Sequence, residues 1–349
     1  MSEWRDCWEK LVSEDSESTL STRCIQLGLS ALTLPYGLAV WGRNQLYACK
    51  GFRTHHFDRL RVISVGNLAL GGRGKTPWVQ YLARQFIDKG FSTAILSRGY
   101  ASKASRSSLP ICVGLSDTAD EVGDEPLLHK RLIPTSEVIV CPNRVLSAEM
   151  ALKKGCEVVI LDDGMQHRRL FRNDEICLLD VTDLKGRLFP RGRLREPLSG
   201  LRRATWIGLS GANTPEEQRE AMGMIRKWSS APVSFFRIAT TSEVSLKGKK
   251  VGVICAIAHP QRVDRGVRLL GAEVIATQHF PDHAVITEEE IHAFAKHVHE
   301  LGGEVLVWTQ KDAVKHREGV KVEGLSLPLY TLSGELEWTG GESLDAIIF

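Results

Sequence analysis

The segment Ser64-Val65-Gly66-Asn67-Leu68-Ala69-Leu70-Gly71-Gly72-Arg73-Gly74-Lys75-Thr76-Pro77 decides the fold of this chain. A short apolar run, Leu60–Val65, leads into it, and a helical pattern follows from Lys75 to Lys89. Its glycines let backbone N–H groups turn inward around phosphate oxygens, and the helix N-terminus adds the positive end of a dipole. The segment therefore predicts a nucleotide phosphate loop over Ala69–Thr76, with Lys75 on the β and γ phosphates and Thr76 as a ligand of Mg²⁺.

The loop departs from the general Gly-x-x-x-x-Gly-Lys-Thr pattern at its first position, where Ala69 replaces glycine. A glycine-rich turn without a ligand is the alternative interpretation. The position between a strand and a helix favours the phosphate loop, because that context is the one such a loop needs.

A second acidic segment, Val158-Val159-Ile160-Leu161-Asp162-Asp163-Gly164-Met165-Gln166-His167, follows the pattern of an apolar strand that ends in carboxylates. A strand of this kind ends beside the phosphate loop, where Asp162 would hold Mg²⁺ directly or through water. Asp163 places a second negative charge beside it, which is tolerable when a cation lies between the two. An Asp-Gly turn is the alternative.

The remaining pattern alternates between strands and helices. Further strands are predicted at Phe91–Leu96, Glu137–Cys141, Val158–Leu161, Ile176–Leu179, Val251–Ile257, Glu273–Thr277 and Glu304–Trp308, and helices at Asn143–Lys154, Gln261–Leu270 and Glu288–Leu301. Thr287 and Glu290 predict a capping box at the start of the last helix. This order predicts an α/β protein with a doubly wound, mainly parallel sheet of the P-loop NTPase type and a second, smaller C-terminal α/β domain. We expect a helical segment over residues 1–56, a kinase core over 57–239 and the smaller domain over 240–349.

The N-terminal segment is unusual because residues 24–42 carry no charge and lie between Arg23 and Arg43. Its length raises the question of a membrane span, but its polar residues and glycines dilute the hydrophobicity. We predict a membrane-associated helix in the interface, broken near Pro35, with Tyr36 and Trp41 at headgroup depth. A buried helix packed on the main domain is the alternative. Whether the segment spans or skims the bilayer stays open at this point.

Composition sets broad limits. The 349 residues are 43% hydrophobic and 25% charged, as in ordinary globular proteins, and the net charge of +3 gives no argument for nucleic acid. Eight scattered cysteines without a Cys-x-x-Cys pair are typical of reduced thiols.

Charge is concentrated between Arg187 and Arg203, where six arginines accompany one glutamate. Such a cluster favours phosphate or another anionic surface as its ligand.

Several motifs occur in the order that is familiar from one family. They are Val65-Gly66-Asn67 with the phosphate loop, Ser97-Arg98-Gly99-Tyr100, Gly123-Asp124-Glu125-Pro126, Asp162-Asp163-Gly164-x-Gln166-His167, Leu194-Arg195-Glu196-Pro197, Phe280-Pro281-Asp282-His283 and Thr309-x-Lys311-Asp312-Ala313-Val314-Lys315. In these motifs the chain resembles the lipid A 4'-kinase (tetraacyldisaccharide 4'-kinase) family over about residues 20 to 315.

The resemblance implies a reaction and a setting. The γ-phosphate of ATP, with Mg²⁺, would pass to the 4'-hydroxyl of a tetraacyl glucosamine disaccharide 1-phosphate. The expected partners are this anionic acylated disaccharide and the membrane surface, with no nucleic acid and no obligate protein partner. The expected location is the cytoplasmic face of the inner membrane, as a peripheral or monotopic protein.

The resemblance also assigns roles. Asp124 is the expected base for the sugar hydroxyl, supported by His283; for Asp124 a helix N-cap is the alternative. Lys75 and Asp163 complete the expected catalytic set, and Glu196 would extend the metal shell. The expected substrate contacts are Asn67, Arg144, Gln166, His167 and Arg195. A structural role is the alternative for the last four.

The chain departs from the family pattern at Pro190-Arg191-Gly192-Arg193, where Pro-Ala-Gly-Pro is usual, at His259 within a normally glycine-rich segment, and at Ala284.

Two other classes of nucleotide-binding protein fit the sequence less well. A GTPase needs an Asn-Lys-x-Asp guanine reader, whereas the nearest string here is Gln310-Lys311-Asp312. A membrane-associated ATPase switch of the partitioning type needs a lysine before the paired glycines, where this chain has Leu70.

Overall fold

The computed structural model describes Trp8, residues 20–316 and residues 324–344. The chain forms two compact units that alternate along the sequence. The first unit comprises Met1–Lys75, Glu157–Arg237 and Trp338–Phe349, and the second comprises Thr76–Cys156 and Ile238–Glu337. The domain boundaries expected after residues 56 and 239 stay a prediction.

The described residues contain twelve strands of a mixed, mostly parallel α/β sheet. They are β1 (Arg61–Asn67), β2 (Thr93–Ser97), β3 (Ile111–Cys112), β4 (Glu137–Val140), β5 (Val158–Asp162), β6 (Asp174–Asp180), β7 (Trp206–Ser210), β8 (Val233–Ser242), β9 (Lys250–Cys255), β10 (Glu273–His279), β11 (Val305–Thr309) and β12 (Leu329–Gly341).

Nine α-helices lie within the same described residues. They are α1 (Leu20–Ala48), α2 (Lys75–Asp88), α3 (Ala119–Val122), α4 (Asp124–Leu132), α5 (Arg144–Lys153), α6 (Pro215–Ile225), α7 (Pro260–Leu269), α8 (Glu288–Glu300) and α9 (Gln310–Ala313).

In the first unit, β8, β7, β6, β1 and β5 are neighbours in that order, and each pair is parallel. All five residues of β5 are buried, as its continuous apolar run predicts for a parallel strand covered on both faces. The register pairs Val65 of β1 with Asp162 of β5. The carboxyl ends of these two strands therefore lie side by side, which is where open α/β sheets bind their ligands.

In the second unit, β10, β9, β11 and β12 are parallel neighbours, and β2 pairs in parallel with β4. The short β3 runs antiparallel to β4. The predicted capping box is present at α8, where Thr287 N–H donates to Glu290 Oε2 at 2.8 Å and Glu290 N–H donates to Thr287 Oγ1 at 3.2 Å. The predicted fold class is confirmed.

Helix α1 corrects one expectation, because it continues through Pro35 for 29 residues instead of breaking there. Proline removes one N–H donor from a helix interior, and the many remaining hydrogen bonds of a long helix tolerate that loss. The hydroxyls of Ser30 and Thr33 donate to Gln26 O at 2.7 Å and Leu29 O at 2.9 Å, so the polar side chains of this turn are satisfied within the helix.

The apolar surface of α1 is exposed. Leu27 and Leu34 are each 71% exposed, Leu38 is 68% exposed and Trp41 is 61% exposed. By length and composition alone, the helix is long and apolar enough to cross a membrane, which is weak support for membrane association. A contiguous exposed apolar surface of this kind is typical of an interaction with membrane or partner and not of a buried core helix.

Candidate active site

The phosphate loop begins where β1 ends at Asn67 and closes at Lys75, the first residue of α2. Gly71 and Gly74 adopt φ angles of +102° and +76°, which favour glycine over other residues. Lys75 and Thr76 therefore stand in the first turn of a 14-residue helix, where backbone N–H groups and the helix dipole attract anions. The predicted strand–loop–helix context is present.

A neighbouring segment braces this loop. Leu70 N–H donates to Arg193 O at 2.7 Å, and Arg195 N–H donates to Leu68 O at 2.6 Å. The backbone donor of Leu70 is therefore engaged by protein, and its expected contact with phosphate stays a prediction. Ala69 forms an isolated bridge with Leu194 on the same segment.

The Arg73 side chain points into the protein. It is buried and donates from Nε to Asp183 Oδ2 at 2.8 Å, with a second bond from Nη2 to Asp183 Oδ1. A nucleotide contact by Arg73 would therefore come from its backbone. Sequence analysis did not identify Asp183, which lies 110 residues away in the 3₁₀ helix Val181–Lys185.

Glycine is required where the strand ends approach each other most closely. A Cβ atom on Gly66 would lie 2.6 Å from the backbone nitrogen of Met165, a distance that no real side chain tolerates. Gly164 N–H donates to Val65 O at 3.1 Å. These contacts hold the loop after β5 tightly against the end of β1.

Asp163 stands at the centre of a charged cluster. Its carboxylate lies 3.5 Å from Lys75 Nζ and 3.0 Å from Arg195 Nη1. Burial raises the pKa of Asp163, but the charges of Lys75 and Arg195 and the hydrogen bond from Arg195 outweigh it and hold this pKa at about 2. Asp163 is therefore ionised at neutral pH. Its φ of +53° is uncommon for a residue other than glycine.

Three expected substrate residues join this cluster. Gln166 donates from Nε2 to Asn67 O at 3.0 Å and accepts from Arg195 Nη1 at 3.2 Å. Asn67, which is fully buried, donates from Nδ2 to Gly71 O at 3.4 Å. The structure thus brings Asn67, Gln166 and Arg195 together around Asp163.

Three further expected site residues are Asp162, an expected ligand of Mg²⁺, and His167 and Arg144, two expected substrate contacts. Asp162 ends β5 and is 2% exposed. His167 follows Gln166, and its charge contributes to the lowered pKa of Asp163. Arg144 begins α5, is buried and donates from Nη1 to Cys141 O, so its role as a substrate contact stays a prediction.

Glu196 is buried among cationic and amide groups. Its carboxylate accepts from Asn44 Nδ2 at 2.9 Å and from Arg203 Nη2 at 2.8 Å, and it lies 3.2 Å from Arg43 Nη2. Burial raises the pKa of Glu196, but Arg203, the amide of Asn44 and Arg43 lower it below its ordinary value. Its carboxylate therefore already has three protein partners. A metal role for Glu196 stays a prediction.

The expected base and its partner lie together in the second unit. His283 Nδ1 is 2.9 Å from Asp124 Oδ2, although the two residues are 159 positions apart in the sequence. The hydrogen bond to Asp124 is the main cause that raises the pKa of His283 above its ordinary value, and burial opposes it. His283 has a φ of +68°, a costly conformation that a protein retains only where the surroundings enforce it.

The turn before Asp124 explains its position. Gly123 has a φ of +99° and separates α3 from α4, so that Asp124 becomes the first residue of α4. A Cβ atom on Gly123 would lie 3.1 Å from Gly99 Cα. Gly123 occupies the N-cap position, and Asp124 and Glu125 lie in the first turn of α4. The role of Asp124 as the base stays a prediction.

The strand–loop–helix, the acidic end of β5 and the lysine beside Asp163 are typical of a nucleotide-binding protein of the P-loop class. The family model of tetraacyldisaccharide-1-P 4'-kinase matches residues 25–348. The chain belongs to the tetraacyldisaccharide-1-P 4'-kinase family.

Individual relatives cover most of the chain. The tetraacyldisaccharide 4'-kinase of Chlamydia trachomatis serovar D is 32% identical over 93% of this chain and 88% of its own length. The protein of the same name from Syntrophus aciditrophicus is 33% identical over 92% of this chain and 91% of its own. The crystal structure of LpxK from Aquifex aeolicus in complex with ATP is 30% identical, with a TM-score of 0.72 over 93% of this chain and 97% of that chain.

These similarities confirm the predicted lipid A 4'-kinase function and the ATP-dependent kinase activity. They do not favour a partitioning-type ATPase switch. The substrate is accordingly a lipid disaccharide.

Proposed function

We propose that this chain transfers the γ-phosphate of ATP to the 4'-hydroxyl of a tetraacyl glucosamine disaccharide 1-phosphate, with Asp124 as the base. The observation that supports this assignment best is the 2.9 Å contact between Asp124 and His283. A sugar hydroxyl is a poor nucleophile, so a carboxylate that accepts its proton assists the transfer. The relatives named tetraacyldisaccharide 4'-kinase support the substrate class.

His283 acts through Asp124. A protonated imidazole that donates from Nδ1 to the carboxylate fixes the orientation of Asp124. The raised pKa of His283 extends the range of pH over which the imidazole carries its charge. Since Nδ1 faces Asp124 and Nε2 lies 3.7 Å from Asp282, carboxylates flank both ring nitrogens.

The ammonium group of Lys75 neutralises negative charge on the phosphates of ATP. This ammonium is 3.5 Å from Asp163, a loose contact that an ATP phosphate can replace. Asp163 then keeps its bond with Arg195 at 3.0 Å and remains ionised. Preorganised positive charge at the transferring group is the largest contribution that a phosphotransferase makes to its rate.

Mg²⁺ fits the chemistry of two further residues. Thr76 offers a hydroxyl at the second position of α2, and Asp162 offers a carboxylate at the end of β5. Both are hard oxygen donors, which Mg²⁺ prefers. Within the described residues there is no group of three or more His, Cys, Asp or Glu side chains placed to hold a metal. Mg²⁺ that accompanies ATP usually takes ligands from phosphates and water, and here it would neutralise phosphate charge.

The proposed setting is the cytoplasmic face of the inner membrane, with the anionic acyl disaccharide and the membrane surface as partners. The exposed leucines of α1 support it, because they would otherwise face water. The arginines between Arg187 and Arg203 add positive charge that suits an anionic lipid.

The test is incubation of the full chain with γ-labelled ATP, Mg²⁺ and a tetraacyl disaccharide 1-phosphate. We expect label to appear in the lipid, and we expect the Asp124→Asn variant to lose most of that transfer. A disaccharide 1-phosphate whose 4'-hydroxyl is methylated serves as the control acceptor and should receive no label. ATP hydrolysis at full rate with no labelled lipid would contradict the proposal.

A further inference from the structure

The motif Thr309-x-Lys311-Asp312-Ala313-Val314-Lys315 has no role in the reaction described so far. It runs from Thr309, the last residue of β11, through α9 to Lys315, two residues beyond that helix, in the second unit. Asp312 and Lys315 form an ion pair at 3.4 Å whose side chains are 0% and 2% exposed. Taking two charges out of water is costly and is weak support for a purely stabilising role. Their hydrogen bonds indicate what else they do.

Asp312 connects the motif to the loop after β9. It accepts from Ala256 N–H at 3.0 Å and from Thr309 Oγ1 at 2.6 Å. The loop after β9 is therefore fixed to the start of α9 through one buried carboxylate.

Lys315 connects the same motif to the loop that carries His283. Its Nζ donates to Ala284 O at 2.9 Å and to Ala256 O at 3.4 Å. Ala284 directly follows His283, whose backbone is in the left-handed region. Since such a conformation persists only where neighbours enforce it, the bond to Ala284 O holds His283 in place.

Lys311 connects the motif to the helix that carries Asp124. Its Nζ is 2.7 Å from Oε1 of Glu125, the residue after Asp124 and the second of α4. Burial lowers the pKa of Lys311, but the charge of Glu125 and its hydrogen bond outweigh it and raise this pKa. One short segment thus binds the neighbour of Asp124 through Lys311 and the neighbour of His283 through Lys315.

We propose that Lys311 and Lys315 are positioning residues that hold Asp124 and His283 at hydrogen-bond distance. This inference rests on the proposed function, in which these two residues form the acid–base pair. Neither lysine needs to touch substrate. Each acts through the backbone or side chain of a residue adjacent to the pair.

The deciding variant is Lys311→Met, which keeps the aliphatic stem and removes the ammonium. Lys154→Met is the matched control, because Lys154 and Glu137 form another Lys–Glu pair of the second unit, at 3.2 Å. The side chains of that pair are 38% and 37% exposed, against 34% and 36% for Lys311 and Glu125. Both variants should fold, because neither lysine is fully buried. An exposed ion pair that only stabilises contributes little, so Lys154→Met should leave kcat unchanged.

We expect Lys311→Met to lower kcat by about 10- to 100-fold with little change in the KM for ATP, because small displacements of a catalytic group have effects of this size. Lys311→Arg restores a cation and should recover part of the rate. A structural role alone would affect Lys311→Met and Lys154→Met alike.

The second readout is the titration of His283, followed by NMR of histidine-labelled protein. Asp124, Asp282 and Lys311 are the charged groups that act on His283. Loss of the Lys311 charge by itself would raise the pKa of His283, because that cation lowers it. A displaced Asp124 would lower it. A fall in the pKa of His283 in Lys311→Met therefore reports displacement and not a missing charge.

Unchanged kcat together with an unchanged or higher pKa of His283 in Lys311→Met would overturn the inference. Failure of the proposed function gives a different result. In that case Asp124→Asn keeps full kcat, while the His283 titration in Lys311→Met still reports whether Lys311 positions the pair.

Lys315 is tested by two double variants that leave no buried charge without its partner. Asp312→Asn with Lys315→Gln keeps a donor at position 315, whereas Asp312→Asn with Lys315→Met removes it. We expect the Met form alone to show a lowered pKa of His283. Equal titration of the two folded forms would contradict the role of Lys315, and if neither folds, the Lys311 variant decides the inference.

Discussion

At the scale of single residues, Lys75 contacts Asp163 in the structure and would contact the ATP phosphates in the reaction. In the structure it lies 3.5 Å from Asp163, and in the proposed reaction it moves to the phosphates of ATP. We expect Lys75→Ala to lower kcat by about 10²–10³-fold, the usual effect of removing one electrostatic partner of the transition state. Single-turnover transfer to lipid measures this loss. A variant that is folded by circular dichroism and keeps more than about a tenth of the wild-type rate would refute the assignment.

The pair of Asp124 and His283 predicts a dependence on pH. The pKa of His283 is raised, mainly by the hydrogen bond to Asp124, so the protonated imidazole stabilises the folded state below its ordinary pKa. That stabilisation is lost as the pH rises through the raised pKa. We expect Asp124→Asn to lower the pKa of His283, and to destabilise the protein more at pH about 6 than at pH about 9.

NMR titration of His283 and urea unfolding at the two pH values measure these effects. Identical titration curves in wild type and Asp124→Asn would show that the contact does not exist in solution. The Lys154→Met variant controls for a general loss of stability, because it removes an ion pair that does not involve His283.

At the scale of elements, α1 predicts membrane binding through its exposed leucines. Leu38 is 68% exposed on α1, and Leu109, in a loop of the second unit, is also 68% exposed. We expect Leu38→Glu to weaken flotation with anionic liposomes, because each CH₂ group buried in lipid contributes about 0.8 kcal/mol. Leu109→Glu should float like wild type. We also expect deletion of residues 1–42 to raise the KM for lipid far more than the KM for ATP.

High salt should weaken flotation of the intact chain without abolishing it, since the arginines contribute a screened attraction and the leucines an unscreened one. If the intact chain stays wholly in the soluble fraction with liposomes at low salt, α1 is not a membrane element. Equal loss of flotation in both leucine variants would place the effect outside α1.

The same helix is joined to the rest of its unit by Glu196. This carboxylate binds Arg43 and Asn44 of α1 and Arg203 of the 3₁₀ helix Leu198–Arg203. We expect Glu196→Gln to lower the free energy of unfolding by about 1–3 kcal/mol, since it removes the charge from buried hydrogen bonds. Thermal unfolding measures this.

The Mg²⁺ dependence of the Glu196→Gln variant separates the two roles of Glu196. A structural role leaves the Mg²⁺ concentration for half-maximal transfer unchanged. A clear rise in that concentration, with Tm preserved, would favour the predicted role as a metal ligand.

At the scale of the whole molecule, each compact unit is formed from separate stretches of the chain. The first unit contains Lys75, which comes from one stretch, and Asp163 and Arg195, which come from another. The second contains Asp124 and His283, which meet across 159 positions. Contacts of this kind depend on the order in which strands pair and cannot be derived from local pattern.

Elements whose signals are local can be predicted from the amino-acid sequence. The apolar runs that became β1 and β5, the glycines of the phosphate loop and the capping box of α8 all depend on neighbouring residues, so their structures follow from periodicity, burial and turn chemistry. The resemblance to a family supplied Asp124 and His283, which no local signal would have paired. The break at Pro35 was wrong because a long helix tolerates one missing donor.

The directions of the side chains and the pairing of the charges depend on the tertiary structure. The partner of Arg73 is Asp183, Glu196 is held by α1, and Lys311 and Lys315 flank the pair of Asp124 and His283. Charged side chains are long and their pairing energies are similar, so a sequence does not specify a partner until the backbone has fixed which groups lie within about 4 Å of each other. The two kinds of feature differ in the sequence distance over which their interactions act. Backbone preferences depend on residues a few positions away, whereas ion pairs and hydrogen bonds between side chains depend on the completed fold.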